Sequence, residues 1–128
     1  MMISQDQLSG CVFLQVVNET RHATLATCAK IADTLEARRV GLLNRDSLDP
    51  GEGLYIRPAS RIHTIGMKFP IDVIFISRAG HVIRCFSLDE GRLVACDAAR
   101  ATLELPIGTV SRTGTQPGDH LSFAEVCG

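Results

Sequence analysis

The chain has 128 residues, of which 45% are hydrophobic and 21% are charged, and its formal net charge is −1. This length fits one domain with a core of its own, predicted over residues 1–128, and the composition excludes wholesale disorder. A net charge this small lacks the basic field that a nucleic acid or an anionic membrane requires, and five Phe, one Tyr and no Trp are too few for base stacking. We therefore expect neither a nucleic-acid nor a membrane partner.

Strands are predicted along most of the chain, where β-branched and aromatic residues lie between turns containing Gly or Pro. The turns are LDPGEG, LDEGRL and TQPGD, the last with Pro117 and Gly118 placed for a type II geometry, and Arg78-Ala79-Gly80 is a hairpin loop. The predicted strands are 11–18, 23–28, 54–58, 62–67, 71–77, 81–87, 101–106 and 120–126. This pattern favours a mainly β (α+β) domain, a compact antiparallel β-sandwich or barrel-like domain with one short helix after the first strands.

The single helix is predicted directly after the second strand. Asp33 is the predicted N-cap, and Glu36 follows three residues later, as a capping box requires. Arg38 and Arg39 project from an imperfect apolar stripe, and Asn44 ends the helix. The stripe consists of Leu35, Val40, Leu42 and Leu43.

A lone acid stands in the most apolar strand. Both alternating faces of IDVIFIS are apolar, which predicts a strand that is covered on both sides. An unpaired Asp72 carboxylate in such a strand would cost several kcal/mol, so it requires a donor. The candidate donors are Arg38, His63 and the backbone N–H groups of the Phe69-Pro70 turn.

A second acid, Glu104, lies on the opposite face from its neighbours Leu103 and Leu105. If Asp72 and Glu104 face one side of the sheet with His63 and an arginine, the cluster can carry out acid–base chemistry or bind a divalent cation. The simpler interpretation is structural, with each carboxylate tied by an arginine or by backbone donors. We favour it. The candidate polar site or structural cluster comprises Arg38, His63, Asp72 and Glu104.

The cysteines and the N-terminus predict a cytoplasmic protein. The five cysteines are odd in number and contain no CxxC pair, so they are predicted to be unbridged thiols rather than a zinc or redox site. The first ten residues lack the basic flank and apolar core of a signal peptide, and no apolar run is long enough to span a bilayer. No HxH or HExxH spacing is present, so no metal and no cofactor are expected.

Several motifs together resemble the bacterial and archaeal family known as domain of unknown function 192. They are Arg38-x-x-Gly41-Leu42-Leu43, HTIGMKFPIDVIFIS, LELPIG and PGDHL, in that order, and the resemblance runs from about residue 23 to the C-terminus. The resemblance implies a compact β-sandwich-like domain with a short helix and no established activity. Leu43 stands where the family usually has Met. The matched motif positions are Arg38, Gly41, Leu42, His63, Met67, Asp72, Phe75, Leu103, Glu104, Gly108, Gly118 and Asp119.

Two functions remain open at the level of sequence. The first is a binding or accessory module, in which a polar cleft near Asp72 and His63 takes a small molecule or a peptide. The second is a small hydrolase- or isomerase-like enzyme that uses Asp72, His63 and Glu104. The sparse aromatic residues and the absence of a nucleophile motif favour the binding module.

Overall fold

The computed structural model describes residues 12–127, except for the side chains of Val12 and Cys127. Nine strands and two short helices lie within these residues. The strands are β1 (Val12–Asn18), β2 (Ala23–Ala32), β3 (Glu52–Ile56), β4 (Arg61–His63), β5 (Ile71–Ile76), β6 (Val82–Leu88), β7 (Leu93–Ala95), β8 (Ala101–Pro106) and β9 (Leu121–Cys127), and the helices are α1 (Leu35–Val40) and α2 (Thr109–Thr113). The mainly β class is therefore confirmed, whereas β7 and α2 were not predicted.

The strands form one large mixed sheet and one small sheet. The seven-stranded sheet has the order β6-β5-β8-β3-β2-β1-β9, and β4 pairs with β7 in a separate ribbon. Every pair in the large sheet is antiparallel except β2 with β3, which is parallel. A parallel pair needs a crossover of roughly a dozen residues or more, and the segment 33–51, which contains α1, supplies it. The predicted compact antiparallel β-sandwich or barrel-like domain with one short helix is therefore confirmed only in part, because the large sheet is mixed and open and the described residues contain a second helix.

Apolar residues cover both faces of the sheet. All six residues of β5 are buried, as are the first five of β8. Because side chains alternate along a strand, Ile74 and Ile76 belong to one core cluster and Val73 and Phe75 to the other. The prediction that the 71–77 strand is covered on both sides is therefore confirmed.

The two acids of the candidate cluster lie on opposite faces of the sheet. In the β5–β8 register, Asp72 stands opposite Leu105 and Val73 stands opposite Glu104. Directly paired residues share a face, so Glu104 points to the side of Val73 and Asp72 points to the other side. The arrangement in which both carboxylates face one side is therefore wrong, because the register shifts them by one residue.

The N-cap of helix α1 lies one residue later than predicted, and the helix ends earlier than predicted. The N-cap is Thr34, whose Oγ1 accepts the backbone N–H of Ala37 at 3.1 Å, rather than Asp33. The helix ends at Val40, with Gly41 as its C-cap at φ 51°, rather than at Asn44. Leu35 of the predicted apolar stripe is 77% exposed, because α1 is a short surface crossover.

Replacing Thr34 by alanine is expected to lower the free energy of unfolding by about 1 kcal/mol, since it removes the acceptor of an otherwise unpaired helical N–H. Thr34→Ser keeps that oxygen and serves as the matched control, with an expected change below about 0.5 kcal/mol. Urea unfolding of the three proteins measures both values. Equal midpoints for the alanine and serine variants would show that Thr34 is not the operative cap.

The two edges of the large sheet approach each other at one end without closing it. His81 and His120 form an isolated antiparallel bridge, and the N–H of Val82 donates to the carbonyl oxygen of Asp119 at 2.8 Å. The TQPGD turn sits here, with Gly118 at φ 93° and the N–H of Asp119 donating to the carbonyl of Gln116, as the type II prediction requires.

A buried polar network fixes this end of the sheet. Asn18, which is fully buried, donates through Nδ2 to Oγ1 of Thr115 at 3.1 Å and to Oδ2 of Asp119 at 3.0 Å. Arg21 and the backbone N–H of Gln116 donate to the same Asp119 oxygen. Although burial opposes ionisation, the hydrogen bonds from Arg21, Asn18 and Gln116 together hold the pKa of Asp119 below its usual range. Asp119 therefore has a structural role.

Cys28, Cys85 and Cys96 are free thiols, whereas Cys11 and the side chain of Cys127 lie outside the described residues. Within residues 12–127, no three His, Cys, Asp or Glu side chains come together as a metal ion would require. None of the helices in the same range is long and apolar enough to cross a membrane.

Candidate functional site

A cavity of about 260 Å³ lies between β8, α1, the segment after α1 and β4. Arg38 and Arg39 reach it from α1, Arg61 and His63 reach it from β4, and Glu104 reaches it from β8. The cavity thus brings together three of the four residues that the sequence singled out, namely Arg38, His63 and Glu104.

Strand alternation explains how β4 contributes two polar groups. Ile62 is buried at 6% exposure, whereas Arg61 and His63 on either side of it are exposed. Residues two apart on a strand share a face, so Arg61 and His63 lie together on the exposed side of β4, and all three residues of the strand border the cavity. Arg61 was not among the predicted site residues, although the polar–apolar–polar pattern of RIH could have revealed it.

Glu104 is the deepest charged group of the cavity. It is only 3% exposed, and its cross-strand neighbours are the apolar residues Leu54 on β3 and Val73 on β5. Among residues 12–127, no side chain or backbone N–H donates to its carboxylate. Burial without a compensating partner raises the pKa of Glu104 to about 7, so the carboxyl group changes its protonation state near neutral pH.

The arginines of the cavity differ in how firmly they are held. Nη1 of Arg38 donates to the carbonyl oxygens of Asp33 at 3.1 Å and Arg57 at 3.4 Å, which anchors this half-buried side chain. Arg39 and Arg61 are exposed, and within the described part of the chain neither guanidinium forms a hydrogen bond or an ion pair. Positive charge therefore surrounds the cavity at its surface, and the carboxyl group lies at its base.

Asp72 lies apart from this group, on the other side of the sheet. It is fully buried, and its two oxygens accept hydrogen bonds from Oγ of Ser87 at 2.6 Å and from the backbone N–H of Val110 at 2.8 Å. Val110 belongs to the first turn of α2, whose N-cap is Gly108 and which therefore has no capping side chain of its own. Asp72 supplies the missing acceptor and ties α2 to β5. The predicted grouping of Asp72 with Glu104 on one face is therefore wrong, and Asp72 is not among the residues that line the cavity.

Met67 also lines the cavity and is buried at 8% exposure in the core cluster, where its flexible side chain fills space between the apolar residues. A second, more open depression of about 640 Å³ lies near Tyr55, Arg57, Arg78 and Arg100. Its Arg57 is paired with Asp33 at 3.7 Å, and burial raises the pKa of Tyr55. Glu104 distinguishes the smaller cavity, because it is buried, ionisable and without a donor.

Together, the fold and the cavity define a small, mainly β domain with one pocket that is positive at its surface and acidic at its base. Residues 16–123 match the family described as Uncharacterized ACR, the domain of unknown function 192, and the chain belongs to this family. The match begins seven residues before the region over which the motifs resemble the family, and it thereby includes the end of β1.

Two solved structures share the fold. A protein of Sinorhizobium meliloti, described as a candidate transcription regulator, has a TM-score of 0.76 at 20% identity, over 89% of this chain and 94% of its own. A protein of unknown function from Novosphingobium aromaticivorans has a TM-score of 0.72 at 18% identity, over 95% of this chain and 99% of its own. At such identities the likeness concerns the fold alone. A comparison with curated proteins finds no match.

Proposed function

We propose that the protein is a binding or accessory module whose small-molecule ligand enters the cavity beside Glu104. The observation that carries this proposal is the Glu104 carboxyl group, which is 3% exposed, borders an open cavity and has no donor among residues 12–127. Among residues 12–127, Oε2 of Glu125 is the one fully buried side-chain oxygen without a partner, so the unpaired oxygens of Glu104 are accessible from the cavity that this residue lines, where a ligand can bind them.

A purely structural role explains Asp72 but does not explain Glu104. The Asp72 carboxylate has two donors within 2.8 Å, as expected of an acid that stabilises a fold. Glu104 instead faces a cavity together with two exposed arginines that have no partner. These three groups are therefore the polar partners that the cavity offers to a ligand.

An enzymatic role is the second candidate, and one observation favours it. A carboxyl group with a pKa of about 7, in a cavity that also contains His63, can accept or donate a proton at neutral pH. This chemistry fits an isomerase-type proton transfer better than hydrolysis, because Asp72 lies on the other face of the sheet and cannot take part.

The likeness to the Sinorhizobium protein adds no proposal of DNA binding. It rests on 20% identity, and the net charge of −1 provides no attraction to a phosphate backbone.

A thermal-shift screen with small polar metabolites tests the binding function, since a ligand that prefers the native state raises the melting temperature. We expect at least one compound to stabilise the wild-type protein and to lose its effect with Arg39→Ala and Arg61→Ala. Arg112→Ala, an exposed position on α2, is the matched control and should behave as the wild type. The proposal fails if no compound stabilises the protein, or if every shift survives both cavity variants.

The same compounds separate the binding module from the enzyme. Each is incubated with the protein in D₂O and analysed by mass spectrometry and NMR. A module leaves the compound unchanged, whereas an isomerase-type enzyme exchanges a carbon-bound proton or converts the compound. Exchange that disappears with Glu104→Gln would favour the enzyme.

A further inference from the structure

The cavity is electrostatically polarised from its surface to its base. Arg39 and Arg61 are exposed at the surface and have no partner among the described residues, whereas Glu104 at the base is 3% exposed. A ligand that complements this arrangement carries its negative group outward and its positive group inward. Guanidinium groups pair most strongly with carboxylates and phosphates, because their N–H groups match both oxygens of such an anion.

The base of the cavity selects a positive group. A buried carboxylate is stabilised far more by a paired cation than by a neutral hydroxyl group, because the pair also removes the cost of the isolated charge. The residues paired with Glu104 across the neighbouring strands, Leu54 and Val73, are apolar and supply no cation. The protein itself therefore leaves this position to the ligand.

The size of the cavity limits the ligand. Its volume of about 260 Å³ equals roughly nine water molecules in the liquid, which restricts the ligand to a small organic molecule. Apolar residues complete the lining, among them Leu42, Ile56, Ile62 and Met67. Such apolar side chains can contact a short aliphatic segment between the two charged ends of a ligand.

We propose that the ligand of the cavity is a small zwitterion of the amino-acid class, whose ammonium group contacts Glu104 and whose carboxylate contacts Arg39 and Arg61. This inference rests on the binding function proposed above and specifies its ligand. Arg38, held by two carbonyl oxygens, completes the positive side of the cavity.

The proposal implies a pH dependence of binding. Only the ionised form of Glu104 pairs with an ammonium group, and its pKa is about 7 before binding, so affinity should rise about 30-fold between pH 5.5 and pH 8. The other charged or titratable groups at the cavity are Arg38 and Arg39 from α1 and Arg61 and His63 from β4. The variant His63→Gln removes the imidazole, so a pH dependence that persists in this variant belongs to Glu104.

The experiment uses calorimetric titration of the full chain with α-amino acids and short ω-amino acids. Each hit is compared with its N-acetyl derivative, with the hydroxy acid of the same skeleton and with the amino amide. We expect an amino acid to bind, the N-acetyl derivative to fail, and the hydroxy acid and the amide each to lose about tenfold or more.

The variants locate both ends of the ligand. Glu104→Gln should weaken the amino acid about 100-fold and abolish its pH dependence, since a buried charge loses its partner. Arg39→Ala and Arg61→Ala should each weaken it about tenfold, and Arg112→Ala should have no effect. Circular dichroism establishes that each variant is folded, and Glu104→Gln is expected to be at least as stable as the wild type at pH 8.

The outcomes separate this inference from the function on which it rests. If hydroxy acids or N-acetyl derivatives bind as tightly as amino acids, or if no amino acid binds while another library compound does, the zwitterion inference is overturned and the binding function stands. If neither the amino acids nor any library compound binds at the cavity, both fail.

Discussion

Replacing Asp72 by alanine is expected to lower the free energy of unfolding by roughly 2–4 kcal/mol, the range for breaking a buried charged network. The substitution removes a fully buried carboxylate, so the N–H of Val110 loses its acceptor at 2.8 Å and Ser87 loses its partner at 2.6 Å. Helix α2 thereby loses its only side-chain acceptor from β5. Urea unfolding at neutral pH, with unchanged slopes, measures the effect.

Asp72→Asn is the matched control for shape. One amide oxygen still accepts the N–H of Val110, and the amide NH₂ can donate to Oγ of Ser87, so we expect a smaller loss than for alanine. Both variants should keep ligand binding at the Glu104 cavity once folded, because Asp72 lies on the other face of the sheet. An alanine variant that is as stable as the wild type but has lost ligand binding or turnover would contradict the structural role of Asp72.

Glu104→Gln is expected to remove a pH-dependent loss of stability of about 3 kcal/mol. The pKa of Glu104 is about 7 in the folded protein, against a reference value of 4.5. Because the folded-state pKa is raised, the folded protein binds the proton more tightly than the unfolded chain. The contribution of Glu104 to the stability of the wild type should therefore be greatest below pH 4.5, and it should fall as the pH rises to about 7. The glutamine variant lacks this fall, so its advantage grows from near zero at pH 4.5 to about 3 kcal/mol at pH 8.

Glu52→Gln provides a control of opposite sign. The hydrogen bond from Arg45, at 2.7 Å, holds the pKa of Glu52 below its usual range. This carboxylate stabilises the fold above its unfolded-state pKa, and its contribution disappears as the pH falls. Its glutamine variant should therefore be less stable than the wild type at pH 7 and should approach it in acid. The free energies of unfolding of the wild type and of Glu104→Gln are measured at pH 5 and pH 8. A difference between the two proteins that is the same at both pH values would show that burial does not raise the pKa of Glu104.

The central strands could be predicted because their residue patterns are local and strong. The run IDVIFIS is apolar on both faces, and ATLELP ends at a proline, so β5 and β8 were placed correctly. The hairpin between β5 and β6 followed from the glycine at position 80, which adopts φ 89°. Such signals lie within a few residues of the element that they define.

The sheet order and the two small elements could not be predicted in the same way. TVSRT contains only one apolar residue, and LVA has three residues, so neither α2 nor β7 has enough periodicity to be recognised. The parallel pairing of β2 with β3 depends on a crossover whose path is set by packing. The register of β5 against β8 likewise depends on tertiary contacts, and a shift of one residue exchanges the faces.

Three of the residues at the cavity were singled out from the sequence, but the sequence did not show that Asp72 lies apart from them. Arg38, His63 and Glu104 do meet at one cavity, and each was singled out as a polar residue in an apolar or helical setting. Asp72 was singled out on the same grounds, yet its donors are Ser87 and Val110, which no sequence spacing connects to it. Whether a buried acid has a partner depends on distant segments of the chain, so local sequence patterns do not predict it.

The pairing of β1 with β9 has a consequence for how the chain folds. Val12 stands opposite Cys127, so the first and last described strands meet only after a loop of more than a hundred residues has closed. Non-local pairings of this kind slow folding, because loop-closure entropy is lost before the contacts form. Until β9 docks, the hydrogen-bonding edge of β1 stays open to other chains. In a circular permutant, a short flexible linker would join residues 12 and 127, and the new chain ends would lie within the 78–80 hairpin. The pairing of β1 with β9 would then be local in sequence.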